Sequence, residues 1–240
     1  MGRRRKSAWT VEYVSEIFLW KNFFTSNPAP KGVEPRVPPR VQTSEALKVF
    51  LNVLAGEEQP AILDLGGVKG DNIQFFCNHG FKVHVFDLLQ TLPRIAAAAK
   101  EENAEESESS EDELYEKMMR EFNYPDNSLA GVLCWDVLDH LESRHAHSFI
   151  QRINRSMKDG GLLLSFFSMR KTNENSEGWN YRIMDREHVE FLPKETKIAA
   201  RHNYHNGEII KLFKGFKVLY FYFLRSNFRE ILVRKPTVGL

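Results

Sequence analysis

The chain has only two cysteines, Cys77 and Cys134, among its 240 residues. They lie far apart, with no CxxC pair and no Cys/His cluster, so neither a disulfide framework nor a zinc site is expected and no metal is assigned. Long apolar runs are missing too: none approaches the roughly 18 to 20 residues that span a bilayer. The basic start, MGRRRKSAW, is followed by Glu12 and Glu16 where a signal peptide would keep an unbroken apolar segment. The expectation is therefore a cytoplasmic protein with no membrane contact. Charge of one sign is also lacking, with a formal net charge of +1. The excess positive charge forms no stripe interleaved with aromatics, so a nucleic-acid partner is not indicated. No internal repeat appears.

What is present is ordinary in amount and uneven in distribution. An apolar fraction of 42% and a charged fraction of 27% suit one main domain with a sizeable core. Glu101 to Glu113 holds eight acidic residues and no basic one, which leaves +9 for the rest of the chain. That run offers little apolar surface to offset the entropy of ordering it, and a mobile insertion is expected over 101–113. At the other end, Thr10 is placed to cap a helix running to about Phe24, with Tyr13, Val14, Ile17, Phe18 and Leu19 along one side. Such a helix packs on the main domain, covers a substrate or forms a homodimer contact. Pro28, Pro30, Pro35, Pro38 and Pro39 then impose an extended connector. The division read from these features is 1–42 as an N-terminal addition and 43–240 as the main domain, whose first helix runs from about Ser44 to Leu54.

The most informative stretch is AILDLGGVKGDN, Ala61 to Asn72. An apolar run, read as a buried strand over Ala61–Leu65, carries Asp64 near its end and breaks into Gly66 and Gly67 before a helix over Asp71–His79. Glycine at such a turn lets a ligand approach the backbone with no Cβ in the way. A second apolar strand, KVHVF, ends in Asp87. Two strand-end carboxylates around a glycine turn suit a nucleoside-containing cofactor lying across the ends of parallel strands. Glycines at 66, 67 and 70 do not match G-x-G-x-x-G, which argues against nicotinamide chemistry.

The pattern Asp64-x-Gly66-x-Val68-x-Gly70 resembles motif I of the class I S-adenosylmethionine-dependent methyltransferases, with Val68 where that family commonly has its middle glycine. Later segments follow the family's order. YPDNSLAGVLCWDVLDHL looks like the turn into its fourth strand, with Ala130 where the family often has aspartate. MKDGGLLLSFFS looks like the fifth strand, and the stretch from His205 to Pro236 like the last helix and closing strand pair. The resemblance implies an α/β, three-layer Rossmann-like fold with a seven-stranded, mostly parallel sheet whose last strand is antiparallel. No acid closes a third strand, and Leu114–Phe122 reads equally as strand or helix. The resemblance further implies S-adenosylmethionine as cofactor, with Asp64, Gly66, Gly67 and Gly70 along its methionine part. Asp87 falls on the ribose hydroxyls, Leu88 against the adenine, and Trp135 and Asp136 at the border of the methionine group and the acceptor.

Methyl transfer from a sulfonium is an in-line displacement that asks the protein for alignment and exclusion of water. A hydroxyl or ammonium acceptor must also lose a proton. His140, His202, His205 and Tyr204 are the groups able to assist, with His140 the leading candidate. The chain has CWDV after its fourth strand, without the Asn/Asp-Pro-Pro-aromatic motif of base amino-methyltransferases. No proline precedes Cys134, unlike the nucleophile of base-carbon methyltransferases. A small-molecule acceptor remains by exclusion, and residues 169–204, rich in aromatics and histidine, are expected to select it. The alternative is a noncatalytic binding or regulatory protein on the same fold.

Overall fold

The computed structural model describes residues 41–67, 69–102, 110–169, 179–193, 202–224 and 227–237, with backbone alone over 99–102. The helix expected over Thr10–Phe24, the proline connector, Val68 and the centre of the acidic run lie outside them.

The first strand, β1 (Val41–Thr43), leads into α1 (Glu45–Leu54). Ser44 ends the strand and starts the helix, its side chain accepting the Leu47 N–H. Ala46, Leu47, Phe50, Leu51 and Leu54 recur on one side of α1 and are buried. Then come β2 (Ala61–Asp64), α2 (Gly70–Asn78), β3 (Lys82–Val85) and α3 (Leu88–Glu102). β2 and β3 pair in parallel across α2, the strand–helix–strand unit the sequence predicts.

The acidic run is helical at both ends. Glu101 and Glu102 close α3, and α4 (Glu111–Glu121) opens on a capping box in which Ser110 and Glu113 satisfy each other's backbone N–H. Glu111, Asp112 and Glu113 fill the first turn, where negative charge complements the helix dipole. The segment that sequence left between strand and helix is thus a helix, with Tyr115 and Met118 as its buried side.

Next come β4 (Leu129–Trp135), a single 3-10 turn (Val137–His140), α5 (Ser143–Ser156) and β5 (Met157–Ser168). The paired glycines expected to precede β5 lie inside it, at an irregular register where Leu129 faces Met157 but Gly131 faces Leu162. β6 (Trp179–Ile183), β7 (His188–Pro193), α6 (Asn206–Leu212), β8 (Lys217–Phe223) and β9 (Phe228–Arg234) complete the chain.

The main sheet has the order β3-β2-β4-β5-β9-β8. β3, β2, β4 and β5 pair in parallel, and β9 runs antiparallel to both β5 and β8. The last strand is antiparallel, as the sequence predicts, and α/β layering holds. The described residues give six strands in this sheet where seven were expected, because α4 takes the place of a strand beyond β3. A second, antiparallel sheet of order β1-β7-β6 joins the strand before α1 to the pair of strands that follows β5. It shares one apolar core with the main sheet through Trp135, Phe166, Tyr181, Phe191 and Phe228. Among the described residues no helix is long and apolar enough to cross a membrane.

Candidate active site

The carboxyl ends of β2, β3, β4 and β5 meet where the strand order reverses, the crevice in which open α/β sheets place ligands. Asp64, the last residue of β2, is buried there, and its Oδ1 accepts the Gly66 N–H at 2.9 Å and the Trp135 indole N–H at 2.6 Å. Burial pushes the Asp64 carboxyl above the usual carboxylate range, against the opposing pull of bonds from Trp135, Gly66 and Asn72. Trp135, the last residue of β4, adopts a left-handed φ of 48°, which is uncommon for a bulky side chain. Its ring lies over Gly66: a Cβ there would sit 2.7 Å from Trp135 Cδ1 and 3.2 Å from Asp64 Oδ1. The indole also stacks on Tyr181 of the second sheet, centroids 4.9 Å apart and planes 2° from parallel.

Asp87 follows β3 and serves two neighbours. Its Oδ1 accepts the Gln90 N–H at 3.1 Å, which caps the start of α3. Its Oδ2 faces the glycine turn, 3.4 Å from where a Gly67 Cβ would be, and the Asn180 side-chain oxygen converges on the same point at 3.2 Å. A methyl there would sit tight against Asn180 and in ordinary contact with Asp87. Leu88, the next residue, is fully buried. Gly70, the first residue of α2, is open, with nothing within 4 Å of an added Cβ.

A third group gathers on the 3-10 turn. His140 Nε2 lies 3.6 Å from Asp136 Oδ2, and both side chains are buried. Asp139 is buried beside them, its Oδ2 accepting the Ser168 N–H at 2.7 Å and its backbone carbonyl accepting the His202 N–H at 3.1 Å. Arg229 of β9 reaches into the same region, donating to the carbonyls of Tyr204 and Ser168 and to the Asn206 side chain.

The structure therefore brings Asp64, Gly66 and Trp135 into one interlocked unit and sets Asp87 against Gly67. Asp136 and His140 form a pair one turn away. Sequence reasoning missed Asn72, whose side chain donates to the Tyr181 carbonyl and accepts the Ile183 N–H, fastening α2 to β6. It also missed Asp139 and Arg229, and it placed Asn180 and Tyr181 only within the selectivity region 169–204. A buried polar residue reveals itself only through partners distant in sequence, so no local signal marked them.

The donor set fits a nucleoside cofactor. A carboxylate oxygen at the end of β3 faces the backbone of the glycine turn, and an oxygen so placed can accept from a pair of ribose hydroxyls. Buried Asp64 braces the turn.

A family model described as a methyltransferase domain matches residues 40–203, more than half of the chain. None of the curated proteins matches the sequence significantly. Among solved structures, an S-adenosylmethionine-dependent methyltransferase from Clostridium acetobutylicum is 14% identical over 80% of this chain and 92% of its own, with a TM-score of 0.48. One from Methanosarcina mazei is 16% identical over 75% of this chain and 94% of its own, with a TM-score of 0.44. A Burkholderia thailandensis 1,6-didemethyltoxoflavin N1-methyltransferase, solved with S-adenosylhomocysteine, is 12% identical over 81% of this chain and 80% of its own, TM-score 0.45. The family assignment rests on the domain match, not on these distant likenesses. On that match the chain belongs to the methyltransferase domain family.

Proposed function

We propose that the chain transfers a methyl group from S-adenosylmethionine to a small-molecule acceptor by direct in-line displacement. The observation that carries this reading is the Asp87 carboxylate facing the Gly67 turn at the end of adjacent parallel strands. When bound, the cofactor supplies an electrophilic methyl on a positively charged sulfur. Asp87 accepts the ribose hydroxyls, and Leu88 gives the base an apolar neighbour. Gly66, Gly67 and Gly70 line the methionine side, Asp64 holds the turn in shape, and Trp135 with Asp136 borders the acceptor. His140, beside the Asp136 carboxylate, is the group that takes the acceptor's proton.

A second reading, a noncatalytic binding protein on this fold, is favoured by the Trp135 ring lying over Gly66. The two part on one experiment. Calorimetric titration of the full chain with S-adenosylmethionine and S-adenosylhomocysteine is expected to give micromolar binding of both. Absence of binding at millimolar ligand would leave the noncatalytic reading standing.

A further inference from the structure

The glycine turn makes room that the protein itself fills. Glycine at 66 leaves a Cβ-sized space beside the backbone, and the Trp135 ring stands against it, with Cδ1 2.7 Å and Nε1 2.9 Å from the point a Cβ would take. The same ring engages the neighbouring acid. Its N–H donates to Asp64 Oδ1 at 2.6 Å, the oxygen that also accepts the Gly66 N–H. Tyr181 stacks on the indole, the Phe166 ring lies 5.7 Å from it, and Trp135 is 1% exposed. A ligand part that lies along Gly66 and bonds to Asp64 Oδ1 meets one side chain at both positions.

The backbone aims the ring there under strain. Trp135 has a φ of 48°, a region that bulky residues rarely adopt and that recurs at ligand clamps and switches. Pairing with β5 shifts register between Leu133 and Trp135, and the Ser165 hydroxyl donates to the Trp135 carbonyl at 2.9 Å, which fixes the bend. The obstruction is confined to one end of the turn. Among the described residues, the atoms near an added Cβ at Gly67 belong to Asn180 and Asp87, and at Gly70 there are none within 4 Å.

We propose that Trp135 is a gate on the methionine end of the cofactor site, closed against Gly66 and Asp64 and required to swing away for the cofactor to bind. This rests on the methyltransferase reading above and reconciles the ring's position with it. The exchange is chemically matched. Asp64 gives up a neutral indole N–H and gains the α-ammonium of the methionine part, a charged donor that bonds a carboxylate more strongly. The ribose end needs no such movement, since Asp87 Oδ2 faces Gly67 and not Gly66. A closed ring competes with the ligand for one space, so the observed affinity falls with the fraction of molecules in which the gate is open. A fixed wall would act the other way, and its removal would weaken binding.

The test is calorimetric titration of the full chain with two ligands, S-adenosylhomocysteine and 5′-methylthioadenosine. The second keeps the adenosine and lacks the amino-acid part, so it does not need the gate open. The native chain is compared with Trp135→Ala and Trp135→Phe, each checked for folding by circular dichroism. Trp135→Ala is expected to bind S-adenosylhomocysteine about tenfold more tightly than the native chain, the scale of one competing bond to a charged group, and to leave 5′-methylthioadenosine unchanged. Trp135→Phe keeps a ring without the N–H and is expected to shift the same way by less, so it carries the test if alanine does not fold. Weaker or unchanged S-adenosylhomocysteine binding in the folded variants, or an equal gain for both ligands, would overturn the gate. Failure of both ligands to bind any of the three chains would defeat the methyltransferase reading, and the gate with it.

Discussion

The indole N–H of Trp135 and the Gly66 N–H converge on a single oxygen, Asp64 Oδ1, at 2.6 and 2.9 Å. That joins the end of β4 to the glycine turn after β2. Because the same indole stacks on Tyr181, the turn is also tied to the second sheet. Phenylalanine at 135 keeps a ring over Gly66 but removes a donor from a buried carboxyl. Trp135→Phe is expected to lower stability by about 1–3 kcal/mol, read as a lower urea midpoint at unchanged slope. An unchanged midpoint would show that the bond to Asp64 contributes nothing.

The glycines of the turn are not equivalent. At Gly66 a methyl would meet the Trp135 ring and Asp64, whereas at Gly70 it would meet nothing within 4 Å. Gly66→Ala is expected to cost roughly 1–3 kcal/mol through forced displacement of a packed ring, and to lose cofactor affinity with it. Gly70→Ala, at the first position of α2, should stay within about 0.5 kcal/mol of the native chain. Equal effects at the two positions in thermal melts and cofactor titrations would refute this description of the turn.

Glu230 gives the protein a pH dependence away from the crevice. Its fully buried carboxyl accepts from the Ser44 hydroxyl, and the Ala46 N–H lies 3.5 Å from its Oε2. Burial pushes it up to about 7, against the bonds from Ser44 and Ala46 and with Glu45 adding to the rise. A raised carboxyl binds its proton more tightly in the folded chain. Its contribution is complete below the unfolded value of 4.5 and is lost as pH rises through about 7. The loss is on the order of 3 kcal/mol. Melting temperatures of the native chain are expected to fall between pH 5 and pH 8, with that component missing in Glu230→Gln. Parallel curves for the two proteins would show that Glu230 does not titrate in this range.

The glycine turn and both strand-end acids were legible because their signal is local: an apolar run, an acid, then glycines within a dozen residues. The helix over Glu111–Glu121 had a local signal that went unused, since Ser110-x-x-Glu113 is a capping-box spacing and Tyr115 and Met118 share a helical side. Strand and helix stayed open there because the family's order calls for a strand where the local chemistry favours a helix. The second sheet had no such signal. β1 pairs Val41 with Glu190, a contact that only the folded chain creates, and β6 and β7 lie in the polar, aromatic stretch read as a selectivity region. For the same reason Asp139 gave no sign of its burial, which depends on Ser168 of β5 and on Arg229 of β9 closing over the turn.

The central claim is that Asp87 holds the ribose of S-adenosylmethionine, and the most direct measurement is the calorimetric affinity of S-adenosylhomocysteine for Asp87→Ala and Asp87→Asn beside the native chain. Asparagine keeps an acceptor for the Gln90 N–H, so it separates ligand binding from the cap on α3. The account predicts affinity lower by about 1.5–3 kcal/mol in Asp87→Ala. Asp87→Asn should lose most of that amount, with α3 and the overall fold retained. Native affinity in both variants would contradict it and remove Asp87 from the site.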